Sequence, residues 1–410
     1  AGAWCGQNKY LSAIKNAFQN FMPLTIAGAI GVLWCNVLVN DQTGLGLFFK
    51  PIMALDFLNP AFQAVNFCTI SCITVGITLG IAQEIGVWNM GAEKAGYIPG
   101  LVGLAAWLSV TNTSHMVEGA KEAFTGIAGN ELGATGLFTG MIIGVLSVEL
   151  FCFFEKQDAL KIKMPEQVPP GVARAFEVLV PATITLIITA CIGSACYNLT
   201  GLYLNDVIKN GIQGPLGAVG ATIPGVMIIY LVIMLFWLVG IHGNNMLSAV
   251  KEALFTPLAL ENVEKFNKGE KPTNIINMYA LQMWGEFGGS GVTIGLVIAI
   301  MIFGKREDNK AIASLSLVPG LFNINETVTF GVPMVLNPIL GIPFVVAPLI
   351  TIIIGYVLTV IGFCPVACLT VPWTTPPIVF GFLACGANVM GAVTQAILIV
   401  VSTVIYVPFL

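Results

Sequence analysis

The sequence predicts an all-α polytopic membrane protein with about ten transmembrane helices plus re-entrant hairpins. Three observations predict it. Of 410 residues, 56% are hydrophobic and only 9% are charged, against roughly 25% charged in soluble domains. The 17 Lys and Arg with 21 Asp and Glu cannot cover a soluble fold of this size, and lipid-facing surface resolves the shortfall. The apolar residues also fall in runs near the roughly 20 that a spanning helix needs, parted by short polar connectors.

In chain order the apolar stretches lie near 19–38, 64–84, 98–111, 134–153, 178–199, 217–240, 290–304, 312–322, 344–364 and 388–410. Three other stretches, 112–133, 241–262 and 321–343, mix Gly, Asn, Thr or Pro with apolar residues and are too broken for clean spans. Irregular backbone at membrane depth is tolerated only against protein or a water-filled cavity. Such broken segments often form transporter binding sites.

Cations cluster at Lys156, Lys161, Lys163 and Arg174, at Lys251, Lys265, Lys268 and Lys271, and at Lys305, Arg306 and Lys310. The positive-inside rule favours the cytoplasm for all three. The first two agree with ten spans and a cytoplasmic N-terminus. The third does not agree if 290–304 is a simple crossing, and a re-entrant hairpin on either side of it would restore consistency. Gly136, Gly140 and Gly144 form a small-residue row on one helix face, suited either to packing within a subunit or to a subunit interface. No tandem repeat stands out. Residues 1–200 read as scaffold and 201–410, which carry most of the polar interruptions, as the substrate-handling part.

Several function classes drop out. A net charge of −4 without a basic run argues against nucleic acid. The ten cysteines mostly sit in apolar stretches, as in the pairs Cys68/Cys72 and Cys364/Cys368, without a second pair or a His at ligand spacing. They read as packing residues rather than redox or metal sites. No phosphate loop of the GxxxxGK[ST] type occurs, so direct ATP use is not expected. No cofactor and no metal is expected. The chain opens on Ala1, as a trimmed chain would, and shows no cleavable leader pattern.

The polar residues inside apolar segments carry the functional signal. Of two histidines, His115 lies in a polar connector and reads as an ordinary loop residue. His242 follows a strongly apolar run in FWLVGIHGNNML. A titratable ring there needs a partner: a ligand, or a backbone carbonyl if its role is structural. Gly240 and Gly243 let the backbone turn beside it, and Asn244 and Asn245 add amide donors and acceptors. Glu326 lies in LFNINETVTFGVPMVLNP, where two Asn, including Asn325, one Glu and two Thr fall within seven residues. Such groups bond sugar hydroxyls, and a desolvated carboxylate is suited to take a proton from one. A helix cap or an ion-pair partner is the plainer alternative. MWGEFGGSG places Trp284 and Glu286 before a glycine turn, and VPWTTPPI sets Trp373 beside Thr374 and Thr375. An indole face packs on a sugar ring, although Trp also anchors helices at the membrane interface. These residues alone point to a transporter of a polar substrate.

KMPEQVPPGVARAFEVLVP (163–181), WLVGIHG (237–243), GGSG (288–291), NINETVTFGVPMVLNP (323–338) and VPWTTPPI (371–378) follow one another in this order. Together with AIKNAFQNFMPLTIAGA (13–29) they resemble the membrane subunit, enzyme IIC, of the bacterial phosphoenolpyruvate-dependent sugar phosphotransferase system, in its lactose/cellobiose/diacetylchitobiose branch. The resemblance implies a homodimer in the bacterial cell membrane, with the first half at the dimer interface. It implies a permease for a β-linked disaccharide that is phosphorylated by a phosphocysteine on a separate IIB subunit. The chain would be catalytic only within that complex. The family's sugar-binding His maps onto His242, and its essential Glu, which contacts the sugar 6-hydroxyl, maps onto Glu326. Thr327 stands where the family usually has Pro. Asn244, Asn245 and Glu286 also depart from the pattern, which bears on the choice of sugar. The rival from another class is an ion-coupled sugar symporter with a Glu326/His242 proton relay.

Overall fold

The computed structural model describes residues 8–41, 45–115, 124–165, 167–332, 334 and 336–410. Residues 116–123 of the broken stretch 112–133, and 333 and 335 of the stretch 321–343, lie outside the described residues. The described chain is all-α apart from one antiparallel pairing of β1 (Ser114–His115) with β2 (Phe124–Thr125). Apolar runs become helices here because hydrocarbon offers the backbone no other hydrogen-bond partner. Two compact units result, one containing 7–25 and 67–216, the other containing 26–66 and 217–410.

The helices of the first unit are the start of α1 (Lys9–Leu33), α2 (Ile73–Met90), α3 (Ile98–Val110), α4 (Ala134–Glu155) and α5 (Pro170–Thr200). Small residues set their spacing. A Cβ added to Gly140 would overlap the Thr78 hydroxyl, and one on Gly144 would lie 3.1 Å from the Thr78 carbonyl oxygen. Gly140 and Gly144 of α4 therefore receive α2 inside the subunit, while Gly136 lies against the Glu131 backbone. α5 begins on Pro170, whose missing N–H costs nothing in a first turn, and ends at Gly201 in the left-handed region, φ 72°. At one end of the unit the buried Glu155 accepts from Lys94 at 2.8 Å and from Arg174 at 2.9 Å, and Arg174 also reaches Glu177 at 2.7 Å. Two cations held this closely satisfy a carboxylate that burial would otherwise penalise.

The second unit holds α6 (Ile223–Leu238), α7 (Ser248–Asn267), α8 (Met278–Gly285), α9 (Ile294–Phe303), α10 (Glu307–Leu321), α11 (Glu326–Gly331), α12 (Gly341–Val360), α13 (Val379–Ala384) and α14 (Val389–Tyr406). Side chains cap several starts. Thr222 accepts from Gly225 N before α6, Asn277 from Tyr279 N and Ala280 N before α8, and Asn388 from Met390 N before α14. Buried amides tie the loops. Asn262 accepts from Thr273 N and Asn274 N and donates to the carbonyls of Asn274 and Ala367. Gln395 on α14 accepts from Ile378 N at 2.7 Å and Gly381 N at 2.8 Å, and donates to the Met283 carbonyl at 3.2 Å.

Each of the ten apolar stretches contains a helix, but 64–84 is broken at Cys72, 217–240 is broken at 221–222, and 290–304 opens in a turn, so the expected ten spans are not all single crossing helices. Among the described residues five helices are able, by length and composition, to cross a membrane: Lys9–Leu38, Ala134–Glu155, Pro170–Thr200, Gly341–Val360 and Val389–Phe409. A sixth arises if Lys50–Ser71 and Ile73–Met90, bent by 42°, form one broken span. Ile98–Val110, Ile223–Leu238 and Ile294–Phe303 are apolar but shorter. α8, α11 and α13, with 8, 6 and 6 residues, are far below spanning length. α8 and α9 instead meet at a turn, residues 286–293, with its glycines buried.

Candidate functional site

The turn between α8 and α9 is the base of the site. Gly288, Gly289 and Gly291 have φ of 71°, 87° and 80°, a backbone that side chains resist. A Cβ on Gly289 would lie 2.6 Å from Asn325 Cγ, so the absence of a side chain there is what admits Asn325. Asn325, buried, donates to the Ser290 carbonyl at 2.8 Å. Asn323 accepts from Gly288 N at 2.6 Å, and Asn244 donates to the Ser290 hydroxyl at 3.0 Å. Three asparagines thus seat the GGSG turn against the residues that carry Glu326 and His242.

His242 caps the short helix Gly243–Met246, and its Nδ1 accepts from Asn245 N at 3.2 Å. Gly243 sits so close to α6 that a Cβ would collide with the Ile233 carbonyl, which fixes where the ring emerges. The ring packs on Trp237, with centroids 4.4 Å apart. A backbone N–H can only donate, so Nδ1 carries no proton and the neutral ring carries it on Nε2. That Nε2 faces Glu326 Oε1 at 3.9 Å, and the two side chains remain 38% and 49% exposed. The distance is too long for a direct hydrogen bond. A hydroxyl placed beside both groups could accept from Nε2–H and donate to the carboxylate.

Glu286 begins the turn. Its Oε1 accepts from the Tyr230 hydroxyl at 2.7 Å and pairs with Lys251, and neither contact uses Oε2. The Lys251 ammonium also lies 5.5 Å from the centre of the Tyr230 ring. This partnership compensates a carboxylate that has little exposure.

His242, Asn244, Asn325 and Glu326 are thus brought around one turn, with Glu286 as its first residue. Asn245 contributes its backbone N–H while the residue itself is exposed. Trp284 is fully buried, and a Cβ on Gly355 of α12 would run into its indole. Trp373 is 44% exposed, and Thr374 and Thr375 are half-buried in the same loop. The carbonyls of Trp373 and Thr375 both accept from Asn323, the latter at 3.1 Å. Sequence reading passed over Tyr230, Trp237, Lys251, Ser290 and Asn323 as site residues. Lys251 had one usable signal, a lysine inside a broken apolar stretch. His115 lies in β1, and among the described residues no group of three or more His, Cys, Asp or Glu is arranged to hold a metal.

Residues 15–348 match the family described as "Phosphotransferase system, EIIC". The oligo-beta-mannoside-specific EIIC component of Bacillus subtilis (strain 168) is 33% identical, over 98% of this chain and 89% of that protein. The cellobiose-specific EIIC component of Lactococcus lactis subsp. lactis (strain IL1403) is 30% identical, over 98% of this chain and 94% of its own length. A crystal structure of the transporter ChbC, the IIC component from the N,N'-diacetylchitobiose-specific phosphotransferase system, superposes with a TM-score of 0.90 at 30% identity. It covers 99% of this chain and 94% of that one. With matching motifs, fold and apolar helices, the chain belongs to the EIIC family, the integral membrane sugar-transport components of the phosphotransferase system.

Proposed function

We propose that this chain carries a β-linked disaccharide of the cellobiose, diacetylchitobiose or lactose type across the cell membrane and presents its 6-hydroxyl to a phosphorylated IIB subunit. One observation supports this above the rest. The Nε2–H of His242 and the carboxylate of Glu326 face each other across a gap that fits a bridging hydroxyl. The β-linked substrates in the names of the relatives support the sugar class.

In this reading Glu326 accepts the proton of the 6-hydroxyl as its oxygen attacks the phosphorus of the IIB phosphocysteine. The S–P bond breaks, the O–P bond forms and the thiolate leaves. Phosphoryl transfer asks the protein mainly for positioning and charge stabilisation, so the chain is a transferase only together with IIB. His242 holds the sugar. Asn244, Asn245, Glu286, Thr374 and Thr375 supply further polar contacts, and Trp373 offers a ring face. Asn325 holds the turn, and Trp284 supports α8 behind it. Residues 201–410 form the transport part, and 1–200 form the scaffold through which two copies pair.

The test is membranes containing the chain, supplied with phosphorylated IIB and labelled cellobiose, lactose or diacetylchitobiose. Labelled sugar 6-phosphate is the expected product, and it should depend on the phosphorylated partner. Accumulation of unmodified sugar that collapses with an uncoupler would instead establish the ion-coupled symporter.

A further inference from the structure

Asn323 sits at the junction of three segments, and both ends of its amide are engaged. Its Oδ1 accepts from Gly288 N at 2.6 Å, at the start of the GGSG turn. Its Nδ2 donates to the carbonyl of Trp373 and to that of Thr375 at 3.1 Å. The residue adopts the left-handed backbone, φ 63°, a conformation Asn tolerates better than most residues because its short polar side chain bonds locally. Here the side chain bonds instead to backbone atoms 35 and 50 residues away. Glu326 follows three positions later, at the start of α11. The Trp373–Thr375 loop has one further support, a turn in which Thr375 N donates to the Pro372 carbonyl at 2.9 Å.

We propose that Asn323 is a positioning residue: it clamps the Trp373–Thr375 loop to the glycine turn and so sets where the sugar ring lies relative to Glu326. The inference rests on the reading that Trp373 meets the sugar. Asn323 itself need not touch it. The amide is the one side chain that can serve here. Gly288 N needs an acceptor while the two carbonyls need two donors, and only an amide side chain offers one acceptor and two N–H donors together. Asp keeps the acceptor and sets a carboxylate oxygen against two carbonyl oxygens. Gly keeps the left-handed backbone without strain and removes all three contacts.

The test is a double-mutant cycle between Asn323→Asp and Trp373→Ala, read as the dissociation constant for labelled cellobiose, lactose or diacetylchitobiose, whichever the wild type binds. Asn323→Asp should weaken binding by roughly tenfold, and the phosphorylation rate at saturating sugar should fall as well, because the ring no longer lies in register with Glu326. In the double variant the combined effect should be less than the product of the single effects, because the Trp373 ring is the larger part of what Asn323 positions. Asn323→Gly provides the same cycle if the aspartate variant does not fold. Multiplying effects would overturn the positioning role, as would unchanged affinity in a folded variant or failure of both variants to fold. If the wild type binds none of the three sugars, or if Trp373→Ala binds as tightly as wild type, the underlying sugar-site reading fails and the inference falls with it.

Discussion

At the scale of single residues, the pairing of His242 with Glu326 separates binding from chemistry. The imidazole Nδ1 is occupied by Asn245 N, so the tautomer is fixed by the backbone and Nε2 can only donate while the ring is neutral. Glu326 is the acceptor across the gap. Substituting Glu326→Gln keeps size and hydrogen bonding but removes the basic oxygen. Phosphoryl transfer should fall by about 10²–10⁴-fold, the usual range for loss of general acid–base help. Sugar affinity and the thermal midpoint in detergent should change little, since Glu326 is half exposed and has no other close ion pair among the described residues. The measurement is single-turnover formation of sugar phosphate from phosphorylated IIB, and a rate within twofold of wild type would remove Glu326 from the chemistry. Both residues stand out in the sequence because a titratable group in an apolar run is costly. Tyr230 does not, and Lys251 does so only as a lysine in a broken apolar stretch. Their carboxylate partner Glu286 lies 56 and 35 positions away, and no local pattern announces a contact made by folding.

At the scale of elements, the glycine turn between α8 and α9 is where a single methyl group reaches the site most directly. Gly289 combines φ 87° with a neighbour, Asn325 Cγ, that an added Cβ would meet at 2.6 Å. Gly289→Ala should therefore cost about 1–3 kcal/mol in stability and weaken sugar binding, because relief requires moving Asn325 and with it the segment that carries Glu326. Gly171→Ala is the control. It lies in the first turn of α5 with open space where the Cβ would go, and should be neutral or slightly stabilising. Equal melting temperatures for the two variants would contradict this account. The GGSG signal was legible as a turn, since glycines between apolar stretches punctuate helices. Its partners are only partly legible: Asn323 and Asn325 both stand in the polar run, but only Asn325 is read as a site residue, because the left-handed backbone of Asn323 is a property of the folded segment. Trp284 and Trp373 look alike in sequence, each beside polar and turn residues, yet one is buried against α12 and the other is largely open. Local pattern cannot separate the packed indole on α8 from the accessible one in the 373–375 loop, because burial at either place is decided by distant segments that fold against it.

At the scale of the whole molecule, composition settles the environment more firmly than it settles the number of crossings. Every apolar stretch became helix because hydrocarbon leaves the backbone no alternative. How far each helix runs depends on breaks such as the one between Lys50–Ser71 and Ile73–Met90, which hydropathy averages over. Assembly is where a large lipid-facing surface leaves a choice. α5 buries only Val178, Pro181, Thr185 and Thr189, a narrow stripe along 31 residues. Leu179, Ile187 and Ile192 stay open, at 48%, 58% and 51%. Lipid can cover such a face, and so can a second copy, since small and aliphatic side chains pack against each other in a bilayer as well as against acyl chains. The proposed homodimer through residues 1–200 therefore predicts two results. In mild detergent, light scattering should give twice the protein mass of one chain. Single cysteines scanned along the exposed faces of α1 to α5, such as Leu179→Cys and Ile187→Cys, should include positions that trap a covalent dimer on oxidation without loss of sugar phosphorylation. A monomer at micromolar concentration would refute the assembly, and crosslinks confined to residues 201–410 would move the interface to the half that carries His242 and Glu326.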